Sequence, residues 1–308
     1  MARKSILSTT EQNTLIAFPT GDSLIQYYTL NETDLALISQ RRSLENRLGF
    51  AIQLCYMRYP GIMLSENDIP NIEIIDFIAN QLSIPSEKWV LYGSRKNTIH
   101  EHRLELQTVF GFKSFTLSHY RKKLIMLKNM AMQTDKGILL ATTLIENLHE
   151  ELILLPPINV IDRLCSEAIT KANRKIYQSL TESLSDEHYK KLDNLLKIKP
   201  DSKFTWLIWL RQSPSRASSI QMLEHIERLN LLQKLNIAEH VSHFTIHQNR
   251  LLKIAREGEQ MTAQHLMDFE NKRRYATLVA IVIENTATIT DEIIDLHALH
   301  FPNCITFI

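Results

Sequence analysis

Glycine is scarce in this chain: seven residues among 308, about 2% where globular proteins average about 7%. Phosphate-cradling folds place glycine where backbone must approach the ligand, and all-β chains place it in their turns. Neither G-x-G-x-x-G nor G-x-x-x-x-G-K-[ST] occurs, which removes the usual dinucleotide and P-loop sites. Cysteine is also sparse. Cys55, Cys165 and Cys304 lie 110 and 139 positions apart, which excludes a disulfide framework or a zinc knuckle and suits a reducing compartment. Long apolar runs are missing. The longest uncharged apolar stretch of the second half, residues 275–283, is far short of the roughly 20 residues a spanning helix needs. The first ten residues carry two charges and no apolar core, so no secretory leader is expected. The expectation is a cytoplasmic protein with no membrane partner.

What is present is helical rhythm. Residues 40–59 repeat apolar side chains at i, i+3 and i+4, and Pro60-Gly61 ends the pattern. Similar stripes cover 72–82, 101–110, 118–132, 137–154, 160–184, 186–198, 218–235, 244–257 and 275–284. Residues 275–283, YATLVAIVI, are β-branched enough to compete as a strand, but their length and polar flanks favour a buried helix. Start signals recur at Ser8 to Glu11, Asn31 to Asp34, Ser65 to Asp68 and Ser185 to Glu187, where caps or acids suit a first turn. The fold expected is all-α, with several helical modules and helix-turn-helix-like units. Length allows two or three domains. Proline breaks at Pro85, Pro156-Pro157 and Pro214 suggest modules at 1–85, 86–156 and 157–308. Two helix pairs invite a helix-turn-helix reading: 74–82 with the segment around Trp89, and 144–154 with the helix from Val160.

The formal charge of +1 hides a block pattern. Residues 91–136 hold nine basic and three acidic groups, and residues 171–216 hold ten and five; the segments around them are net acidic. A basic block suits phosphate oxygens, although a solvated helix face is the commoner fate of a charge run. Catalytic patterns are lacking. His240, His243 and His247 share a helical spacing, but no H-E-x-x-H frames them, and surface or capping roles fit better. Glu150-Glu151 and Asp291-Glu292 are adjacent pairs that point different ways on a helix. Cys55 and Cys165 sit on apolar faces, where a thiol is inert. No catalytic or metal-ligating residue is therefore expected.

For nucleic acid, the densest group is Arg121-Lys122-Lys123, with Lys136 following and Arg95-Lys96 preceding it. Arg163, Arg174 and Lys175 lie on or near the long helix after Pro157. Gln248, Asn249 and Arg250 combine amides, which can pair with adenine, and an arginine, which can pair with guanine; interhelical bonding is the competing use. Trp206 and Trp209, three apart, read as core rather than as a base-stacking platform.

Residues 40–61, QRRSLENRLGFAIQLCYMRYPG, resemble the amino-terminal region of the transposases of the Tn three family, the replicative class II transposons. The resemblance continues in order through HEHRLELQ, QTDKG, LPPINVIDRLC and PDSKFTWLIWLRQSP. It then runs through HIERL, HQNRLLKIAREGEQMTAQHL and RRYATLVAIVIENTATITDEIIDLH. It implies a helical region that recognises terminal inverted repeats of double-stranded DNA. It also implies a separate RNase H-like domain whose Asp, Asp and Glu hold two metal ions, so Mg is expected only for that domain. No part of that acidic domain is recognised here, and the family pattern stops before the final HFPNCITFI, as expected of a truncated copy or a fragment inactive by itself.

The resemblance directs the basic residues towards DNA. Arg121, Lys122, Lys123 and Lys136 are assigned to phosphate in a middle module, and Arg163, Arg174, Lys175 and Lys203 to a second. Arg41, Arg42, Asn46 and Arg47 are a mixed case, because they precede a strongly apolar helix and an acid is an equal partner for Arg47. The leading expectation is sequence-specific binding of transposon ends. The alternative is a regulatory or dimerisation fragment that self-associates or pairs with full-length transposase.

Overall fold

The computed structural model describes residues 5–65, 68–93, 96–214, 218–241 and 246–300. They form an all-α chain of fifteen α-helices and one 3₁₀ helix; among the described residues the only β pairings are two isolated bridges, Lys113 with Ile153 and Ile198 with Thr205. In order the helices are α1 (Thr9–Leu15), α2 (Asp22–Tyr28), α3 (Glu32–Ser39), α4 (Leu44–Arg58) and α5 (Ile72–Leu82). The 3₁₀ helix Ser86–Leu91 precedes α6 (Lys96–Phe110), α7 (Leu117–Ala131), α8 (Gly137–Glu150), α9 (Ile158–Thr181) and α10 (Asp186–Leu195). The series closes with α11 (Trp206–Leu210), α12 (Ser219–Leu235), α13 (Gln248–Glu259), α14 (Ala263–Met267) and α15 (Asn271–His300). The chain divides into two compact units. One comprises the chain through Leu127 with Lys136–Ala168, the other Lys128–Asp135 with the chain from Ile169.

The first unit is built around α4. Ten consecutive residues, Leu48 to Met57, are buried, so this helix is covered on every side. Tyr28, Ile38, Ile74 and Ile78 pack in the same core, and each fully buried Leu or Ile contributes about 1.5–3 kcal/mol. Gln53 is polar yet buried, and it is satisfied: its amide donates to Leu64 O at 3.0 Å and accepts from Leu64 N at 3.1 Å. Capping boxes at Ser8 with Glu11 and Asn31 with Asp34 start α1 and α3, as the local signals require. Ser65 and Asp68 also bond each other, yet the next helix waits for Asn71. Pro70 restrains the residue before it to extended backbone, which delays the start.

Two expectations change in this unit. The stripe at 137–154 leaves helix at Glu150, because Leu152 turns left-handed at φ 52°. The following backbone bonds elsewhere: Leu154 N donates to Lys113 O at 2.9 Å and Leu155 N to Gly61 O at 2.8 Å. The link between α8 and α9 is thus seven residues long and partly extended, not the three- or four-residue turn of a helix-turn-helix. In the other helix pair, the element after Pro85 is a short helix around Trp89, of 3₁₀ type.

In the second unit the core helix is α15, where every residue from Ala276 to Val282 is buried; the β-branched run is helix, as its length and flanks suggested. Helices α12 and α13 pack along it. At Gly258 on α13 a Cβ would fall 2.4 Å from Thr277 Cγ2, so glycine is what lets α13 and α15 approach this closely. Among the described residues no helix is long and apolar enough to cross a membrane.

Candidate nucleic-acid interface

The turn between α3 and α4 uses two of its arginines internally. Arg41 donates both Nη atoms to Glu105, at 2.6 and 2.8 Å, and lies 4.7 Å from the Phe50 ring centre. Arg47 Nε donates to Arg41 O at 2.8 Å and Nη2 to Ser39 O at 3.3 Å, closing the turn. Arg42 is exposed beside them and Asn46 is half-buried. Glu105, on α6 and 64 positions away, is the partner that sequence spacing does not reveal.

Helix α7 separates its three adjacent cations by direction. Ser118, Arg121, Lys122 and Ile125 form an exposed stripe at helical spacing. Lys123 points inward and is 1% exposed, with Nζ 2.6 Å from Asn147 Oδ1 and 2.8 Å from Glu151 Oε2. Lys122 also reaches Glu151, at 3.1 Å. Hydrogen bonds from Lys123 and then Lys122 hold the Glu151 carboxyl below the usual carboxylate range. Lys123 is therefore engaged by protein, while Arg121 and Lys122 face outward. Lys136 is exposed at the N-cap of α8.

Arg163 is exposed on α9, its guanidinium 5.3 Å from the Tyr120 ring centre, and the Tyr120 hydroxyl donates to Glu167 at 2.7 Å. Arg95 lies outside the described residues, and Lys96 begins α6.

In the second unit, Lys171, Arg174, Lys175 and Gln178 are all exposed on one face of α9. Sequence reasoning misses Lys171 as a site candidate, although its three- and four-residue spacing to Arg174 and Lys175 carries the signal. Lys203 is exposed between α10 and α11. Gln248 and Asn249 are exposed in the first turn of α13, where His247 Nδ1 accepts from Asn249 N at 3.2 Å. Arg250 turns inward: it is buried, pairs with Asp135 at 2.9 Å and donates to Asn173. Lys253 also pairs with Asp135. Burial raises the Asp135 pKa, but Lys253 and Arg250 outweigh it and hold the carboxyl below its usual value. The structure thus brings exposed cations together on α7 in one unit and on α9 in the other, and gives Arg41, Lys123 and Arg250 to acids.

Among the described residues no three His, Cys, Asp or Glu side chains gather as ligands. His240 lies against His188, ring centres 4.9 Å apart, His247 caps α13, and His243 lies outside the described residues. Cys55 and Cys165 are buried, and burial pushes both thiols up to about 12.

These features describe a helical protein with outward basic faces. A family model described as "Domain of unknown function (DUF4158)" matches residues 6–168, and the chain belongs to that family. The match ends at Ala168, where the first compact unit also ends. The chain is 56% identical to the transposase for transposon Tn3926 and 53% identical to the transposase for transposon Tn21, both of Escherichia coli. It is 50% identical to the transposase for transposon Tn501 of Pseudomonas aeruginosa. Each alignment covers 96% of this chain and 30% of the relative, so the chain spans about 30% of the length of the curated relatives it matches. The resemblance to Tn three family transposases is thereby shown.

Proposed function

We propose that this chain is the end-recognition part of a replicative transposase: a sequence-specific binder of the terminal inverted repeats of double-stranded DNA. The observation that supports this reading most is the clustering of outward cations on helix faces, Arg121 and Lys122 on α7 and Lys171, Arg174 and Lys175 on α9. The transposase relatives give those faces a polyanion to meet. Helix-borne Arg and Lys side chains contact phosphate and fix register, while amides such as Gln248 and Asn249 are suited to adenine edges. Strand cleavage and transfer are assigned to the remainder of a full-length transposase.

Fluorescence anisotropy of the purified chain tests this reading, with a labelled inverted-repeat duplex set against a shuffled duplex of equal composition. The expected result is tighter binding to the repeat and a logarithmic salt slope of about −0.9 per phosphate neutralised. Equal affinity for both duplexes overturns the proposal.

A further inference from the structure

The segment between α10 and α11 folds back as a short hairpin. Lys199 N donates to Phe204 O at 2.9 Å, Trp206 N donates to Lys197 O at 3.1 Å, and Ile198 pairs with Thr205. This antiparallel register places Lys197, Lys199, Phe204 and Trp206 on one face, two cations opposite two aromatic rings. Lys199 Nζ lies 5.5 Å from the Trp206 ring centre and 5.1 Å from that of Trp209. Phe204 is 49% exposed beside them.

Trp206 packs against the core, as its spacing suggested, and also forms a wall of a cleft of about 290 Å³ between α10, α11 and α12. Leu195 and Leu231 supply apolar surface, Asn194 an amide, and Lys191 and Lys234 the charge; no carboxylate is among the lining residues. Lys191 is held in place by Glu187 at 2.9 Å.

We infer that this cleft accepts an unstacked nucleobase, so that the second unit binds unpaired nucleotides as well as duplex. The chemistry is that of a single-strand site. An indole face offers sequence-tolerant stacking, apolar walls accept a neutral base, and flanking lysines meet the phosphates on either side. An amide on the rim offers both donor and acceptor to a base edge. A paired, stacked base presents neither face to an indole, so the ligand is a single strand or a frayed duplex end. The inference rests on the nucleic-acid reading above but uses residues that reading does not.

The test titrates the full chain with a fluorescein-labelled oligothymidine and, separately, with the inverted-repeat duplex. Trp206→Leu, Trp206→Phe and Lys234→Gln are compared with the unaltered protein, and each variant's thermal melt is recorded. Removing one stacking ring predicts a weakening of about 5- to 100-fold for oligothymidine in Trp206→Leu. Trp206→Phe should retain most of that binding, Lys234→Gln should lower its salt slope, and duplex affinity should stay unchanged in all three. An unaltered protein that ignores oligothymidine overturns the inference, as does a Trp206→Leu variant that binds it normally. Parallel loss of duplex and oligothymidine binding in Trp206→Leu also overturns it. If oligothymidine binding depends on Trp206 while the inverted repeat is not preferred over shuffled duplex, this inference stands and the end-recognition reading falls.

Discussion

Arg250 Nη1 lies 2.9 Å from Asp135 Oδ2 with only 3% of its side chain exposed, so an arginine placed by its sequence neighbours among base-reading amides is an internal strut. Removing one member of a buried pair strands the other charge. Asp135→Ala is therefore expected to cost about 3–5 kcal/mol of stability, read from the urea midpoint. A loss under about 1 kcal/mol would mean that Arg250 finds water or another acid.

The same carboxylate makes stability depend on pH. Its folded pKa is held below the unfolded value, so its contribution is present above the unfolded pKa and is lost as pH falls through the folded one. The urea midpoint should drop on acidification below about pH 4. Asp135→Asn should flatten that limb of the profile; an unchanged profile contradicts the assignment.

Lys122 and Lys123 share Glu151 yet differ in burial, 69% against 1% exposed. Lys122→Ala should change stability by about 0–1 kcal/mol, as exposed pairs do. Lys123→Ala should cost several times more, because it leaves Asn147 and Glu151 without their buried donor. For DNA the order reverses: Lys122→Ala should weaken binding and Lys123→Met should not. Equal effects of the two on anisotropy titrations would refute the division.

Gly258→Ala tests the close approach of α13 to α15. Alanine usually favours a helix over glycine by about 1 kcal/mol. Here the added methyl meets Thr277 and Ile281, so a net loss of about 1–3 kcal/mol is expected in thermal melts. A stabilised variant would show that the helices part easily.

Buried thiols should be silent. With both pushed up to about 12, Cys55 and Cys165 should resist Ellman's reagent at pH 8 until denaturant is added. Fast labelling of either in the native protein, located by mass spectrometry, would contradict their burial.

Helices were legible wherever one apolar stripe ran uninterrupted: α5 occupies the expected residues, and the 275–283 run is helix within α15. Local periodicity failed where a distant partner decided the outcome. Residues 151–154 read as helix, but Leu152 turns left-handed and Lys113 takes up backbone groups of Leu152 and Leu154. The candidate site was legible as charge density and illegible as direction. Nothing near Arg121-Lys122-Lys123 in sequence says that the third lysine meets Asn147 and Glu151, because those acceptors lie on and just after α8. Likewise Arg41 and Arg250 are claimed by Glu105 and Asp135, 64 and 115 positions away. Lys171 could have been added by spacing alone.

The basic face of α9 carries a quantitative expectation. Arg174→Ala with Lys175→Ala should lower the logarithmic salt slope by about one unit for each phosphate left unneutralised, with little change in preference between sequences. A normal slope would place the phosphate backbone elsewhere.

The central claim is sequence-specific recognition of transposon ends, and in vitro selection from a random duplex library tests it without prior choice of site. The account predicts enrichment of one motif that matches the inverted repeats at both ends of the element carrying this gene. It also predicts that Arg121, Lys122, Arg174 and Lys175, changed together to alanine, abolish that enrichment. Selection that yields no motif, or one absent from both ends, would contradict it.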